Sequence, residues 1–538
     1  MKISLPDIPE SEKTPRVTEL LGIIERLSAT VVRQQEDIQI LKDEISELKG
    51  LKKKPKFKGS KLDEHTDKAE ENQENEPIKK RPGSVKRQKT AKLTIHETKI
   101  VQPGKPLPTG ARLKGYRDYI VQDISIASHN TLYRLAYYQL PDGTIVSGTL
   151  AEEQQGHHFG TSLRRYVLYQ YHQCQVTQPL LLEQLREWGV DISSGQLNRL
   201  LLDNHDVFHI EKAALLKKGL HSTGYITTDD TGSRHQGKNG FVTHIGNEFF
   251  AWFQSSDSKS RINFLSLLRA GCDEYYLNEA AREYMEDNGL PAAQLSYLFS
   301  FPVISFDGEA AWLNHLAGLN ITRPRHIKIA TEGALLGCVL RDEVLKKLAV
   351  ISDGAGQFNV LMHGLCWVHA ERLLHKLIPL NDTHREDIEQ VRAEVWSFYR
   401  ELKCFKKHPK VEKKQQLLAE FERIFSQKTR YELLNQQLKR LKKLKSALLL
   451  VLERPEIPIH TNGSENDLRE QVKRRKVSGG TRSDLGRQCR DTFASLKKTC
   501  RKLKISFWEY LKDRLMRVNN IPSLGDLVLQ KSQPATGY

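Results

Sequence analysis

Three acidic residues, Asp229, Asp353 and Glu465, occupy places from which carboxylates can be gathered at one point. Asp229 lies near the end of Tyr225 to Asp230 (YITTDD), which reads as a strand. Asp353 follows Leu348 to Ser352 (LAVIS), a short, continuously apolar run of the kind found in a fully buried strand. Glu465 opens a helix predicted over Ser464 to Val477. In open mixed sheets ligands bind just beyond strand ends, so acids placed there converge. Three carboxylates at one point repel one another unless cations neutralise them. Oxygen-only ligands suit the hard ions Mg²⁺ or Mn²⁺. A pair of such ions about 3.5–4 Å apart activates an attacking oxygen and stabilises a leaving one in phosphoryl transfer.

Each acid also has a plainer use. Asp229 or Asp230 can be a turn residue before Gly232, Asp353 can begin a loop with Gly354, and Glu465 can complete a capping box with Asn462. The residues after Glu465 favour the chemical use. Glu465, Arg469, Val472 and Lys476 share one helical stripe, so a carboxylate is followed along one face by two cations, a layout suited to a phosphodiester. Arg469 can alternatively pair with Glu465 as an i, i+4 salt bridge. Gly479-Gly480 then ends the helix and allows a close backbone approach to a strand.

The rest of the chain must position these groups. Its 538 residues suggest three or four units, and 38% hydrophobic residues are enough for a real core. The formal charge is +17, and the stretch from Asn466 to Lys504 alone carries a surplus of +9, as expected of a polyanion-binding protein. No apolar run approaches the ~18 residues of a membrane span, and the N-terminus has no hydrophobic signal-peptide core, so a cytoplasmic, nucleoid-associated protein is expected. The seven cysteines form no CxxC pair, which argues against a disulfide framework.

Residues 17 to 48 carry a heptad with Val17, Ile24, Val31, Ile38 and Ile45 at a, and Leu20, Leu27, Gln34, Leu41 and Leu48 at d. That pattern favours a parallel two-stranded coiled coil, hence a homodimer or higher assembly, although packing of the helix on its own chain is the alternative. A charged linker is predicted over 51–90. Beyond it, Tyr119 to Ile126 and Thr131 to Gln139 read as strands, with a hairpin turn at Pro141-Asp142-Gly143, and Gly160 to Gln175 and Thr177 to Leu202 read as helices. Ser193 to Gln196 is a plausible start for a helix in a small DNA-binding module. Gly240 to Ile245 and Glu248 to Gln254 add two strands joined at Gly246-Asn247, so a meander opens a mixed α/β sheet. A helix-rich stretch runs from Asp382 to Leu452.

With TDDTG (Thr228 to Gly232), SDGAGQF (Ser352 to Phe358), CWVHAERLLHKL (Cys366 to Leu377) and HTNGSENDLREQVKRRKVSGGTRS (His460 to Ser483), together with the zipper, the chain resembles the insertion-sequence-sixty-six transposases, TnpC-type DDE enzymes. The resemblance implies a ribonuclease-H-like core over 211–380 and 455–515, a helical insertion over 381–454 and a C-terminal tail over 516–538, behind a dimerisation helix over 1–50 and an α+β DNA-binding region over 91–210. It matches Asp229, Asp353 and Glu465 to the catalytic, metal-holding triad and Arg475-Lys476 to the family's basic pair; these two and Arg469 of the helical stripe are the residues expected to contact DNA. It further implies Mg²⁺ or Mn²⁺, two ions, as cofactor, and as partners element-end and target DNA, a second copy and small accessory proteins, with no membrane. Asp230 stands where the family has Glu, so Asp229 and Asp230 both remain candidates for the first ligand, and Asp307 in VISFDG competes with Asp353. No Cys falls within 91–150, where many members carry a zinc region. Cys366 and His369 have no second ligand pair for zinc, so packing or a hydrogen bond to the active site is expected of them. The rival function is a non-catalytic dimeric DNA-binding protein on the same fold.

Overall fold

The computed structural model describes residues 120–150, 158–300 and 302–533 continuously, with scattered positions over 14–34 and 94–118. Two compact units are present, one comprising 1–57, 134–184 and 192–538 and the other 58–133 and 185–191. Of the heptad positions, Val17, Leu20, Ile24, Leu27, Val31 and Gln34 are helical, whereas Ile38, Leu41, Ile45 and Leu48, like the linker over 51–90, lie outside the described residues. Leu20, Leu27 and Val31 are exposed. Among the described residues no helix is long and apolar enough to cross a membrane.

In the second unit the stretch 120–133 carries no strand, contrary to the reading of Tyr119 to Ile126. A β-former needs a partner strand and a face to bury, and Val121, Ile124 and Ile126 are exposed. In the first unit, β1 (Tyr137–Gln139) and β2 (Ile145–Ser147) form the expected hairpin around Pro141-Asp142-Gly143. Then come α1 (Thr161–His172) and α2 (Gln178–Glu187). The single helix expected over Thr177 to Leu202 is broken where Gly189 takes φ +76°. Ser193 and Gln196 close a reciprocal capping box that starts α3 (Ser194–Leu202), followed by α4 (Asp206–Leu220).

The central sheet has β3 (Tyr225–His235), β4 (Lys238–Gly246) and β5 (Ala251–Ser256) as an antiparallel meander. A helical excursion follows: α5 (Arg261–Leu268), β6 (Glu274–Tyr276), α6 (Glu279–Asp287), α7 (Ala292–Leu298), β7 (Ser305–Asp307), α8 (Gly308–Gly318), α9 (Pro324–Val339) and α10 (Glu343–Lys346). β8 (Ala349–Ser352) then returns to lie parallel to β3, with β9 (Met362–Leu365) parallel beyond it, giving the order β5-β4-β3-β8-β9. Asp307 ends β7 in a separate two-stranded sheet with β6, away from the central one.

After α11 (Trp367–His375) come α12 (Asp382–Lys407), α13 (Val411–Ser426), α14 (Glu432–Lys443) and α15 (Lys445–Leu448). Their apolar faces bury Phe398, Leu402, Phe421 and Phe425 with Trp367 and Ile351. The Trp367 indole donates to the Leu448 carbonyl, so the insertion is fastened to the sheet edge. The chain returns as α16 (Asn462–Ser478), α17 (Asp484–Lys502), α18 (Phe507–Leu515) and α19 (Leu524–Ser532). Leu468 of α16 and Ala494 of α17 pack on Val242, Ala251 and Phe253, covering one face of the meander.

Candidate active site

Alternation along β3 sends Asp229 and Asp230 to opposite faces of the sheet. Asp229 shares its face with Thr227, whose hydroxyl accepts a 2.7 Å bond from Ser464 of α16, the neighbour of Glu465. It also lies opposite His244, whose imidazole meets Asp467 of α16 at 3.1 Å. Asp230 turns the other way. Its carboxylate is ion-paired with Lys259 and accepts a 2.7 Å bond from Gln357. Asp230 is thus held by a cation and an amide, while Asp229, on the face that α16 covers, forms no ion pair among the described residues.

The parallel pairing of β3 with β8 sets Thr227 beside Ile351, which brings Asp229 and Asp353 to the same level, each two residues further along. Asp353 is exposed just past the strand end, and its Oδ1 accepts from the Ala355 amide at 2.9 Å. The loop carrying it is tied by Gly354 N–H to Ser352 Oγ and by Arg261, which donates to the Gly356 carbonyl at 2.8 Å. Burial pushes the Asp229 carboxyl up to about 6, and the nearby Asp353 charge adds to the rise, while the Asp230 amide and His369 oppose it.

Glu465 sits in the first turn of α16, where Thr461 is the N-cap and gives no side-chain cap bond. Asn462 is already helical, so the capping box with Glu465 does not form. Instead Glu465 Oε1 faces His369 Nε2 at 3.6 Å and the Arg372 guanidinium at 3.5 Å, both from α11. That oxygen is buried and accepts no hydrogen bond. Behind it, Cys366 is buried and its sulfur accepts from Thr461 N–H at 3.3 Å. Burial alone would raise the Cys366 thiol, but the neighbouring His369 and the bond from Thr461 bring it below its usual value. His369, which burial would lower, is correspondingly raised by Cys366 and Glu465. Cys366 is thus packed in the core with its bond from Thr461, and His369 stands 3.6 Å from Glu465, too far for a hydrogen bond.

The basic residues divide. Arg469 and Lys476 are exposed on α16, whereas the Arg475 guanidinium donates to the Gly232 carbonyl and is half-buried on β3. Gly480 comes so close to the Arg234 backbone that a Cβ there would lie 2.4 Å from its carbonyl oxygen, the close approach expected of this glycine pair.

Asp229, raised chiefly by burial with the Asp353 charge adding to the rise, forms no ion pair among the described residues, and a buried acid near a second one fits a divalent cation, whereas Glu465 already faces Arg372 and His369. Among the described residues no three His, Cys, Asp or Glu side chains stand close enough to coordinate one ion as placed. The sequence reading missed Arg372, Lys259 and Gln357. For Arg372 a signal existed, since it lies one helical turn after His369.

Comparison with known proteins adds two findings. The profile described as Transposase IS66 family matches residues 343–489, a span that includes Asp353 and Glu465 but not Asp229. The chain is also 45% identical over 303 residues to the "Uncharacterized protein y4jO" of Sinorhizobium fredii, an alignment covering 56% of this chain and 94% of that protein.

Proposed function

The chain belongs to the transposase IS66 family, and from that premise we propose that it cuts and joins DNA through a DDE triad of Asp229, Asp353 and Glu465. The mixed sheet, with its antiparallel meander and two parallel strands, fits the ribonuclease-H-like core that this mechanism uses. The observation that carries the reading is the convergence of three distant segments: Asp229 level with Asp353 across the parallel pair, and Glu465 bound in beside them by the Ser464–Thr227 bond.

The three carboxylates would hold Mg²⁺ or Mn²⁺, two ions in all. When bound, such ions make water a competent nucleophile at neutral pH and stabilise the leaving oxygen. In the first step a water oxygen attacks phosphorus at an element end, the P–O3′ bond breaks and the 3′ oxygen takes up a proton. In the second that 3′-hydroxyl attacks a target phosphodiester, loses its proton and displaces a 3′ oxygen of the target. Asp229 and Asp353 orient the reacting centre, and Arg372 and His369 keep Glu465 turned towards it. Arg469 and Lys476 neutralise the DNA backbone, while Arg475 braces α16 on β3. The N-terminal heptads pair two protomers so that two ends are held together, and small accessory proteins join the assembly.

Cleavage of labelled DNA from the flanks of the coding region tests this reading, with Mg²⁺ or Mn²⁺ supplied. Asp353→Asn is expected to lower the cutting rate by roughly 10³-fold or more while duplex binding survives. Undiminished cutting by Asp353→Asn sinks the triad. Tight binding by the wild type with no nicking in either metal favours a non-catalytic DNA-binding protein.

A further inference from the structure

The β3–β4 hairpin extends beyond the acids and ends in a tip where His235 pairs with Lys238 and Arg234 with Asn239. The turn that follows α16 is stitched to this tip. Thr481 N–H donates to the Arg234 carbonyl at 2.9 Å, Gln236 N–H donates to the Thr481 carbonyl at 2.8 Å, and the His235 ring meets the Thr481 hydroxyl at 2.8 Å. Two segments far apart in sequence thus make one rim.

Arg234, Lys238 and Arg482 are all exposed on that rim, and among the described residues none of them forms an ion pair. The neighbouring acids are already engaged: Asp484 with His235 at 3.1 Å and Arg487 at 3.2 Å, and Asp257 with Arg487 at 2.7 Å. Beneath the turn lie two more guanidiniums, Arg474 and Arg490, only 7% and 6% exposed and in no ion pair among the described residues, although the neighbouring Asp491 charge acts on Arg490. Arg474 meets His172 Nδ1 at 3.3 Å and the Tyr171 ring, and Arg490 donates to the Gly479 carbonyl at 3.4 Å. A buried charge without a counter-charge is costly. A mobile salt ion neutralises exposed cations as well as anything else does, but two buried ones under three exposed ones create a field at a fixed place, which an anion fixed in space answers.

We propose that the hairpin tip and the Gly479–Arg482 turn form one ledge that grips the backbone of double-stranded DNA through Arg234, Lys238 and Arg482. This rests on the reading of the chain as a DNA-cutting enzyme and names a contact surface for it. Arg234 lies five residues beyond Asp229, about 17 Å along an extended strand. On a duplex that reach corresponds to about five base pairs from the bond to be cut. The ledge therefore holds the arm of DNA leaving the acids and fixes its direction, while Arg469 and Lys476 serve the phosphates nearer the reaction.

Fluorescence anisotropy with a labelled duplex of random sequence tests the ledge, using the full-length chain over a series of salt concentrations. The triple variant Arg234→Ala, Lys238→Ala, Arg482→Ala is expected to bind about tenfold or more weakly near physiological salt. Its log–log salt slope is expected to flatten by about 0.9 for each phosphate no longer gripped. Arg482→Ala alone, in an exposed turn where folding is not at stake, should weaken binding about threefold and flatten the slope by about one unit. Lys439→Ala with Lys443→Ala, which removes two exposed charges from α14, should leave both quantities unchanged. Wild-type affinity and slope in both ledge variants overturn the ledge alone, as does an equal loss in the α14 pair. A wild-type chain that binds no duplex overturns the ledge and the proposed function together.

Discussion

The helical insertion over 382–452 and the sheet rim around Asp229 are both rich in charge, yet they use it in opposite ways. In the insertion the acids are answered by cations: Asp387 by Arg430 at 2.6 Å, Glu394 by Arg423 at 3.2 Å, Glu401 by Lys413 at 2.7 Å, and Glu422 by both Lys442 and Lys445. Beneath those pairs lies an apolar core of Phe398, Phe421, Phe425 and Trp367. At the rim pairing is incomplete. Asp230 is held by Lys259 and Glu465 faces Arg372, but among the described residues Asp229, Asp353, Arg234, Lys238 and Arg482 form no ion pair. The difference lies in the acids: the four named in the insertion are paired, whereas Asp229 and Asp353 are not. Charge compensated within the fold serves stability, and charge left unpaired is available to a ligand.

If that division holds, a deletion in the insertion core should alter stability and leave the chemistry of the folded protein alone. Phe421 is fully buried against Phe425, with ring centroids 4.4 Å apart, and against Trp367 and Phe398. Phe421→Ala is expected to cost about 3–5 kcal/mol. Urea unfolding followed by helical circular dichroism measures that loss, and cleavage per folded molecule should stay at the wild-type level. A large drop in cleavage at low temperature, with the fold intact, would break the comparison by making the insertion part of the site.

The rim should behave in the reverse sense. Because the folded-state pKa of Asp229 is raised to about 6 from an ordinary 3.8, the folded chain holds that proton more tightly than the unfolded one. Stability from this group is present at low pH and is lost as pH rises from about 4 through about 6. Asp229→Asn, neutral throughout, should therefore match the wild type below about pH 4 and exceed it by roughly 1–2 kcal/mol above about pH 6 in EDTA, the figure being reduced for partial solvation of the site. Mn²⁺ should raise the wild-type melting temperature and have little effect on the variant. A variant no more stable than the wild type at pH 8 would show that Asp229 is compensated as fully as the insertion acids.

How much of this was legible in the sequence depends on how local each cause is. The apolar run before Asp353 and the alternating strands around Gly246-Asn247 identified the sheet, because side-chain period and turn chemistry are local. The choice between Asp229 and Asp230 was not legible, since it depends on which face α16 covers and on Lys259 and Gln357 arriving from elsewhere. Arg372 and His369 meet Glu465 only because α11 and α16 pack together, a contact no spacing reveals. Thr231 to His235 continues β3, although Asp229 or Asp230 before Gly232 reads equally as a turn residue, because β4 pairs with it all the way to Lys238. Over 120–126 the strand expected from Tyr119 failed for the converse reason, with no strand to pair with among the described residues. Local pattern thus recovered the elements, and tertiary pairing decided which of their side chains work together.

The smallest effect sharpens the comparison most, because it asks whether compensated charge in the insertion does anything further. Arg423 holds Glu420 through two hydrogen bonds, at 2.9 and 2.7 Å, and also reaches Glu394 at 3.2 Å. The Arg423 side chain is 54% exposed and that of Glu420 35%, so water screens the pair and both side chains lose rotamer freedom in making it. Glu420→Gln leaves Arg423 its second carboxylate and keeps an acceptor on the same helical turn. The expected loss is therefore no more than about 0.5 kcal/mol, shrinking further in high salt as the Debye length shortens. Urea midpoints at low and high salt read it, and duplex affinity should be unmoved. A change in DNA binding as large as that of the ledge variants would mean that even paired charge on this surface is felt by the nucleic acid, and that the line between the two regions is drawn in the wrong place.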